Sequence, residues 1–294
     1  MKDKKALIAL IITVLIWGSS FTAIKILLEE IRPLGLSFLR SGVAAAGLIL
    51  LLGFNEGFMK IKRALKEKFL HFVLLGTTGV ALFNLFQNTG IEYTSSGIAS
   101  VLLATNPLFV LTLSTVFLQE KINRKKITGM VLGFVGIVIT IFGGKNIMVF
   151  FLSSSFIGNV LVLLSALCWS LYVVISKKVL RQYSPLLLTT FAFVFGSLLL
   201  LVLCLFSHDF SRIINLSSTS LLLVIYLGFI SSGLAYLFWN YALNRMEASK
   251  ASVFLFLIPV VAIILGKVIL AEKITFSLVV GTCLVLSGIY LVER

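Results

Sequence analysis

The polar residues of this chain suit binding more than bond making. Asn84 and Asn88 stand four apart with Gln87 at the edge of the same helical face, and Tyr236, Trp239 and Asn240 hold the corresponding positions later in the chain. Ser20 follows Trp17 by one helical turn, and Tyr172 follows Trp169 in the same way. Asn106 stands beside Pro107, and Ser100 and Ser252 put hydroxyls on small-residue faces. Amides, hydroxyls and indole N–H groups can hydrogen-bond a small uncharged or zwitterionic solute while the rings cover its apolar part. The same groups can also tie helix to helix or close on a nearby carbonyl, so each has a structural alternative. Bond-making chemistry lacks its parts. His71 and His208 lie at span edges, outside the polar faces of the spans, and Cys168, Cys204 and Cys283 show neither CxxC nor Cys/His spacing. No catalytic residue, metal or cofactor is expected.

These residues must be positioned by membrane helices. The 294 residues are 59% hydrophobic and 12% charged, with mean hydropathy +1.11, and apolar runs of about 20 residues recur from end to end. Ten spans are predicted, near 6–28, 34–54, 70–91, 97–118, 127–143, 156–177, 186–206, 221–243, 249–270 and 276–292. The start, MKDKKALIALIITVLIWG, reads as an uncleaved first helix, and the stretch from Gly57 to Lys68 as a basic loop. SGIASVLLATNPLFVLTLSTVFLQEK, from Ser96 to Lys121, returns as ASKASVFLFLIPVVAIILGKVILAEK, from Ala248 to Lys273. That shift of 152 residues also carries Trp17 onto Trp169, Lys25 onto Lys177, Pro33 onto Pro185 and Asn88 onto Asn240. The prediction is an all-α polytopic membrane protein of ten transmembrane helices in two five-helix repeats, 1–144 and 153–294. Five is odd, so the second repeat enters the membrane from the opposite side. Inverted repeats of this kind suit a midplane site opened alternately to either face.

Basic residues set the orientation. Lys2, Lys4 and Lys5, the 60–68 cluster, Lys121 with Arg124 to Lys126, Lys177, Lys178 and Arg181 all fall at one face, against Arg32, Lys145, Arg212 and Lys273 at the other. Lys and Arg are retained inside, so both termini are expected in the cytoplasm of a cell-membrane protein. The net charge of +14 is then a topology signal with no nucleic-acid partner implied.

Within the spans charge is sparse. Arg40, whose repeat counterpart is Ala192, needs an acidic partner, which Glu272, Glu29 or Glu30 could supply; the alternative is recognition of a carboxylate. Lys25 and Lys267 lie close enough to helix ends to snorkel. Glu120 and Glu272 are expected to cap or pair at opposite faces of the membrane, as alternating gates would. Pro107 and Pro259, midway along spans four and nine, free the carbonyls of Leu103 and Leu255 and bend each span. Gly129, Gly133 and Gly136, with Gly281 and Gly288, make small faces on spans five and ten that permit close contact within one chain or in a homodimer.

Several motifs also resemble a known family. WGSSF at 17–21, LR at 39–40, the link SSGIAS into NPLF at 95–109, the closing LQEK and LAEK, and GxxLGxxGI at 129–137 together resemble the EamA family of the drug/metabolite transporter superfamily. The resemblance covers nearly the whole chain. It implies ten helices with inverted five-helix halves, a central cavity lined by spans 1, 3, 4, 6, 8 and 9, and export of small metabolites, amino acids among them. The lining it implies here includes Trp17, Ser20, Asn84, Asn88, Trp169, Tyr236, Trp239 and Asn240. Two departures stand out: the second half reads WSLYV after Trp169, and it has no equivalent of Arg40. The expected function is outward transport, through the inner membrane and by alternating access, of a small amphiphilic metabolite such as an amino acid. A channel, a lipid flippase or scramblase, and a membrane enzyme are the competing classes.

Overall fold

The computed structural model describes residues 4–119, 124–142, 154–207 and 216–293; Glu120, one of the two expected gate glutamates, and His208 lie outside them. Spans one and two are single helices, α1 (Lys4–Leu27) and α2 (Pro33–Asn55). Span three is α3 (Phe58–Gly76) and α4 (Phe83–Tyr93), joined by a π-helical stretch at Thr77–Leu82. Span four is broken into α5 (Ser96–Leu103) and α6 (Asn106–Leu118), and α7 (Arg124–Phe142) is span five. The second half repeats the plan. Spans six and seven are α8 (Ser154–Val179) and α9 (Pro185–Ser207). Span eight is α10 (Ser218–Ile225) and α11 (Ala235–Arg245) about a π-helical Tyr226–Leu234. Span nine is α12 (Ala248–Val253), a 3₁₀ turn at Phe254–Leu257 and α13 (Ile258–Leu270), and α14 (Phe276–Glu293) is span ten. The result is an all-α membrane protein of two inverted five-helix halves.

Pro33 and Pro185 stand at the first turn of α2 and α9, where a missing N–H costs nothing. Pro107 and Pro259 do the same inside the membrane. Each opens the second half of a broken span, after a turn at Ala104–Thr105 or at Phe254–Leu257. One expectation is corrected: Gly57 to Lys68 is mostly helix, not loop. α3 begins at Phe58, and only Lys68 leaves helical geometry (φ −128°, ψ 19°). Its charges pair along the helix, Arg63 with Glu67 at 2.7 Å, while Phe58, Met59, Phe69 and Leu70 remain exposed. Charge-rich sequence read as loop is here an amphipathic segment that satisfies its own backbone at the membrane edge.

Contacts between the halves exchange under the 152-residue shift. Gly18 of α1 packs against Val261 and the Ile258 carbonyl of α13. Its counterpart Ser170 in α8 donates to the carbonyl of Asn106, the counterpart of Ile258, at 3.2 Å. Gly76 meets the backbone at Ala192, and Gly228 meets the carbonyl of Arg40, the counterpart of Ala192. Such reciprocal pairs are what a two-fold relation between repeats produces.

Smaller ties repeat as well. Lys25 Nζ donates to the carbonyls of Ile91 and Thr94, and Lys177 Nζ to those of Leu243 and Met246. Lys25 thus caps the open carbonyls at the end of α4, where a cation also suits the helix dipole, instead of snorkelling to solvent. The glycine faces of spans five and ten meet each other within the chain, with Gly288 against the backbone of Gly129 and Gly133.

Candidate functional site

Where the repeats meet, one residue set converges. Trp17, Ser20 and Phe21 of α1, Arg40 of α2, Phe83 and Gln87 of α4, Leu103 and Asn106 at the span-four break, Trp169 of α8, Tyr236 of α11, and Leu255 and Ile258 at the span-nine break line a cavity of about 30 Å³. That volume accommodates about two water molecules. Aromatic rings fill the rest of the centre. Trp17 stands edge-on to Trp169, with centroids 5.1 Å apart, and to Tyr236 at 5.5 Å; Trp239 is 5.7 Å from Trp17, and Tyr172 stacks on Trp169 at 5.1 Å. The proline-led breaks bring the polar ends of α6 and α13 to the same depth as these rings.

The two π-helical stretches position the cluster. In an α-helix the N–H of Phe83 would bond the carbonyl of Gly79, but it goes to Thr78 and Val80, and the Tyr236 hydroxyl donates to Gly79 at 2.9 Å. Likewise the N–H of Ala235 goes to Ile230, and Trp17 Nε1 donates to the carbonyl of Ser231 at 2.9 Å. Gly79 and Ser231 are repeat-related positions. Each half therefore uses one i→i+5 turn to offer the same backbone acceptor to the central rings. Gly79 has to be glycine here, since a Cβ would stand 2.0 Å from the Tyr172 ring. Trp169 Nε1 is buried without a partner, and the acceptor its repeat mate would predict, the Gly79 carbonyl, takes the Tyr236 hydroxyl instead.

Arg40 is 3% exposed and among the described lining residues it alone is charged. Its Nε donates to Ser232 Oγ at 3.0 Å and its Nη2 to Ser231 Oγ at 3.3 Å, while Nη1 has no partner. The expected ion pair is not formed. Glu272 is spent elsewhere, accepting the N–H groups of Ser96 at 2.8 Å and Gly97 at 3.1 Å at the start of α5. Glu30 accepts the N–H of Ser217 at 3.0 Å and its hydroxyl at 2.8 Å, and those bonds, the backbone one first, hold its carboxyl below the usual carboxylate range. No salt bridge to Arg40 from Glu29 occurs among the described residues.

The predicted lining divides. Trp17, Ser20, Asn106, Trp169 and Tyr236 line the cavity; Asn84, Asn88, Ser100, Tyr172, Trp239, Asn240 and Ser252 are buried but do not. Asn88 Nδ2 donates to Ser37 Oγ at 2.9 Å, and its repeat mate Asn240 donates to Thr189 Oγ1 at 2.9 Å and Tyr172 Oη at 2.6 Å. Ser37 and Thr189 are themselves repeat mates, so the two amides make the same tie between adjacent spans. Ser100 and Ser252 close on carbonyls of their own helices, Gly97 and Ala248. Asn84 is fully buried with neither end of its amide bonded. The face that does reach the cavity is one residue earlier, Phe83 and Gln87. Phe21, Leu103, Leu255 and Ile258 went unmarked because apolar residues in apolar spans carry no signal of their own.

A model of the EamA-like transporter family matches residues 4–142 and again residues 156–294. The chain belongs to the EamA-like transporter family. It is therefore an integral membrane transporter. This EamA-like chain is 36% identical over 293 residues, 99% of each chain, to an uncharacterized transporter of Archaeoglobus fulgidus. It is 31% identical over 290 residues to the uncharacterized transporter YoaV of Bacillus subtilis, covering 98% of this chain and 96% of that one. At 29% identity over 295 residues, all of this chain and 95% of the relative, it is similar to a protein of Streptantibioticus cattleyicolor named a probable terminal-alkyne amino-acid exporter. A solved crystal structure superposes with a TM-score of 0.73 at 18% identity over 99% of this chain and 98% of its own, which shows a shared fold.

Proposed function

We propose that this EamA-like transporter exports small amphiphilic metabolites, amino acids or close relatives, across the cell membrane by alternating access, with both termini in the cytoplasm. The observation that carries the proposal is the ring- and amide-lined cavity at the crossing of two inverted repeats, reached by broken spans from both halves. At about 30 Å³ it is too small for an amino acid, so substrate enters by parting the Trp17, Trp169 and Tyr236 rings. Two repeats that exchange conformations can part them toward one face and then the other. The Streptantibioticus relative named as an amino-acid exporter supports the substrate class. The positions that bind are Trp17, Ser20, Asn106, Trp169 and Tyr236, with Arg40 in the wall instead of in a gate, and the protein acts as a carrier, not an enzyme or a channel. A homodimer through spans five and ten would use their exposed faces, at Val131, Phe134 and Tyr290.

The test is a panel of amino acids and related metabolites loaded into proteoliposomes and followed outward. Saturable efflux that Trp169→Ala abolishes while the protein still inserts supports the reading. Open-pore conductance, or efflux untouched by the variant, overturns it.

A further inference from the structure

The cavity described above holds an electrostatic imbalance. Arg40 is buried among rings and apolar side chains, two serine hydroxyls are its only bonded partners among the described residues, and Nη1 bonds nothing. A guanidinium taken out of water without a counter-ion is costly, and hydroxyl dipoles offset only part of that cost. A second donor of the same cavity lining is also unfilled: Trp169 Nε1, whose repeat-related acceptor, the Gly79 carbonyl, takes the Tyr236 hydroxyl. Among the described lining residues there is no acid to satisfy either group or to hold an ammonium. The repeat reinforces the point. Arg40 falls where the other half has Ala192, so the charge is not part of the shared scaffold.

We propose that this cavity holds an anion subsite: the transported solute is an organic carboxylate whose oxygens accept from Arg40 and from Trp169 Nε1, with its apolar body among Trp17, Phe21 and Phe83. The fork of a guanidinium matches a carboxylate better than any other charged group of that size. Recognition is by the acid group; an amino group is tolerated but not required. The inference rests on the carrier reading, yet it makes a separate demand.

All 3 tryptophans of the chain belong to the central ring cluster, so intrinsic fluorescence reports occupancy directly. Purified full-length protein in nanodiscs is titrated with 3-phenylpropanoate, phenylalanine and phenylalaninamide, which share a body and differ in charge. The two carboxylates are expected to bind and the amide, a cation, to bind roughly 10- to 100-fold more weakly, the loss of a charge-assisted pair. Arg40→Gln should bring the carboxylates down to the level of the amide, Arg40→Lys should recover part of the difference, and Trp169→Phe, which keeps an aromatic ring and removes the N–H, should weaken the carboxylates several-fold more than it weakens the amide. Comparison of the three ligands on the unaltered chain decides the matter even if Arg40→Gln does not fold. Equal binding of acid and amide, or no binding of either carboxylate, overturns the anion subsite. Efflux of a neutral or cationic solute in the proteoliposome panel, with no carboxylate moved, would sink this proposal and leave the carrier reading standing.

Discussion

Glu272→Gln is expected to loosen one end of the central cavity, and the size of the effect follows from two bonds. The Glu272 carboxylate runs back from the end of α13 to accept the first N–H groups of α5, at 2.8 Å from Ser96 and 3.1 Å from Gly97. It fits because position 266 is glycine; a Cβ there would stand 2.9 Å from Oε2. α5 and α13 belong to different repeats, so this carboxylate fastens the halves at the end assigned to the outer face. A charge-assisted hydrogen bond contributes roughly 1.5–3 kcal/mol, and an anion at a helix N-terminus adds to it. Glutamine keeps one acceptor and turns its NH₂ toward the other N–H. The group is only partly buried, so a loss near the low end, about 1.5 kcal/mol, is the sound expectation. That is about tenfold in the balance between joined and parted ends. The assay places a single cysteine at Ser20, with Cys168, Cys204 and Cys283 replaced, and follows its modification by a membrane-impermeant maleimide added outside intact cells. The variant should react about tenfold faster. An unchanged or slower rate would refute the assignment of this contact as a seam between the halves.

Gly79→Ala drives a methyl into the Tyr172 ring, 2.0 Å away, and should destabilise by about 1–3 kcal/mol, whereas Gly42→Ala, with nothing within 4 Å, should be neutral; thermal unfolding in detergent separates them, and equal effects would contradict the close approach at the π turn. Asn88→Ala and Asn240→Ala remove repeat-related ties and should each cost roughly 0.6–1.7 kcal/mol, measured in the same assay; loss of ligand binding without loss of stability would return either amide to the site. Tyr236→Phe leaves the Gly79 carbonyl open to Trp169 Nε1, and carboxylate affinity should fall several-fold in the fluorescence titration; unchanged affinity would show that the indole N–H takes no part.

The fold was legible because lipid makes it so. Apolar length and an odd number of spans per repeat left little choice, and the 152-residue shift reappears in the reciprocal contacts at Gly18 and Ser170 and at Gly76 and Gly228. Trp17 and Trp169 were legible as midplane rings for the same reason. The Asn84–Asn88 stripe shows where reading stops. Periodicity finds a polar face but does not say whether that face looks at a neighbouring span or at a hollow. A π turn upstream inserts one residue, which rotates everything after it by about 100°, and no residue type announces it. The ion pair expected of Arg40 failed for a related reason: the sequence offers glutamates near enough in depth, and only the structure shows that Glu272 and Glu30 are turned to the N–H groups of α5 and to Ser217.

The imperfection of the repeat matters more for function than its fidelity. Were the halves identical at the centre, Trp169 would bond Gly79 as Trp17 bonds Ser231, and the cavity would face two filled indoles. Instead the position that is Asn84 in one half is Tyr236 in the other, and that single difference moves a hydroxyl onto Gly79 and strands the Trp169 donor. A second difference, Arg40 against Ala192, adds a cation to the lining of the same cavity. Both departures act on one cavity, and each leaves a donor without an acceptor. The shared elements, namely the π turns, the proline-led breaks and the Lys25 and Lys177 caps, give the two halves the same local geometry, which the proposed alternating access requires. On the proposed carrier reading, the symmetric residues serve the exchange of conformations at the repeat interface, and the two asymmetric ones, Arg40 and Tyr236, set what the cavity selects.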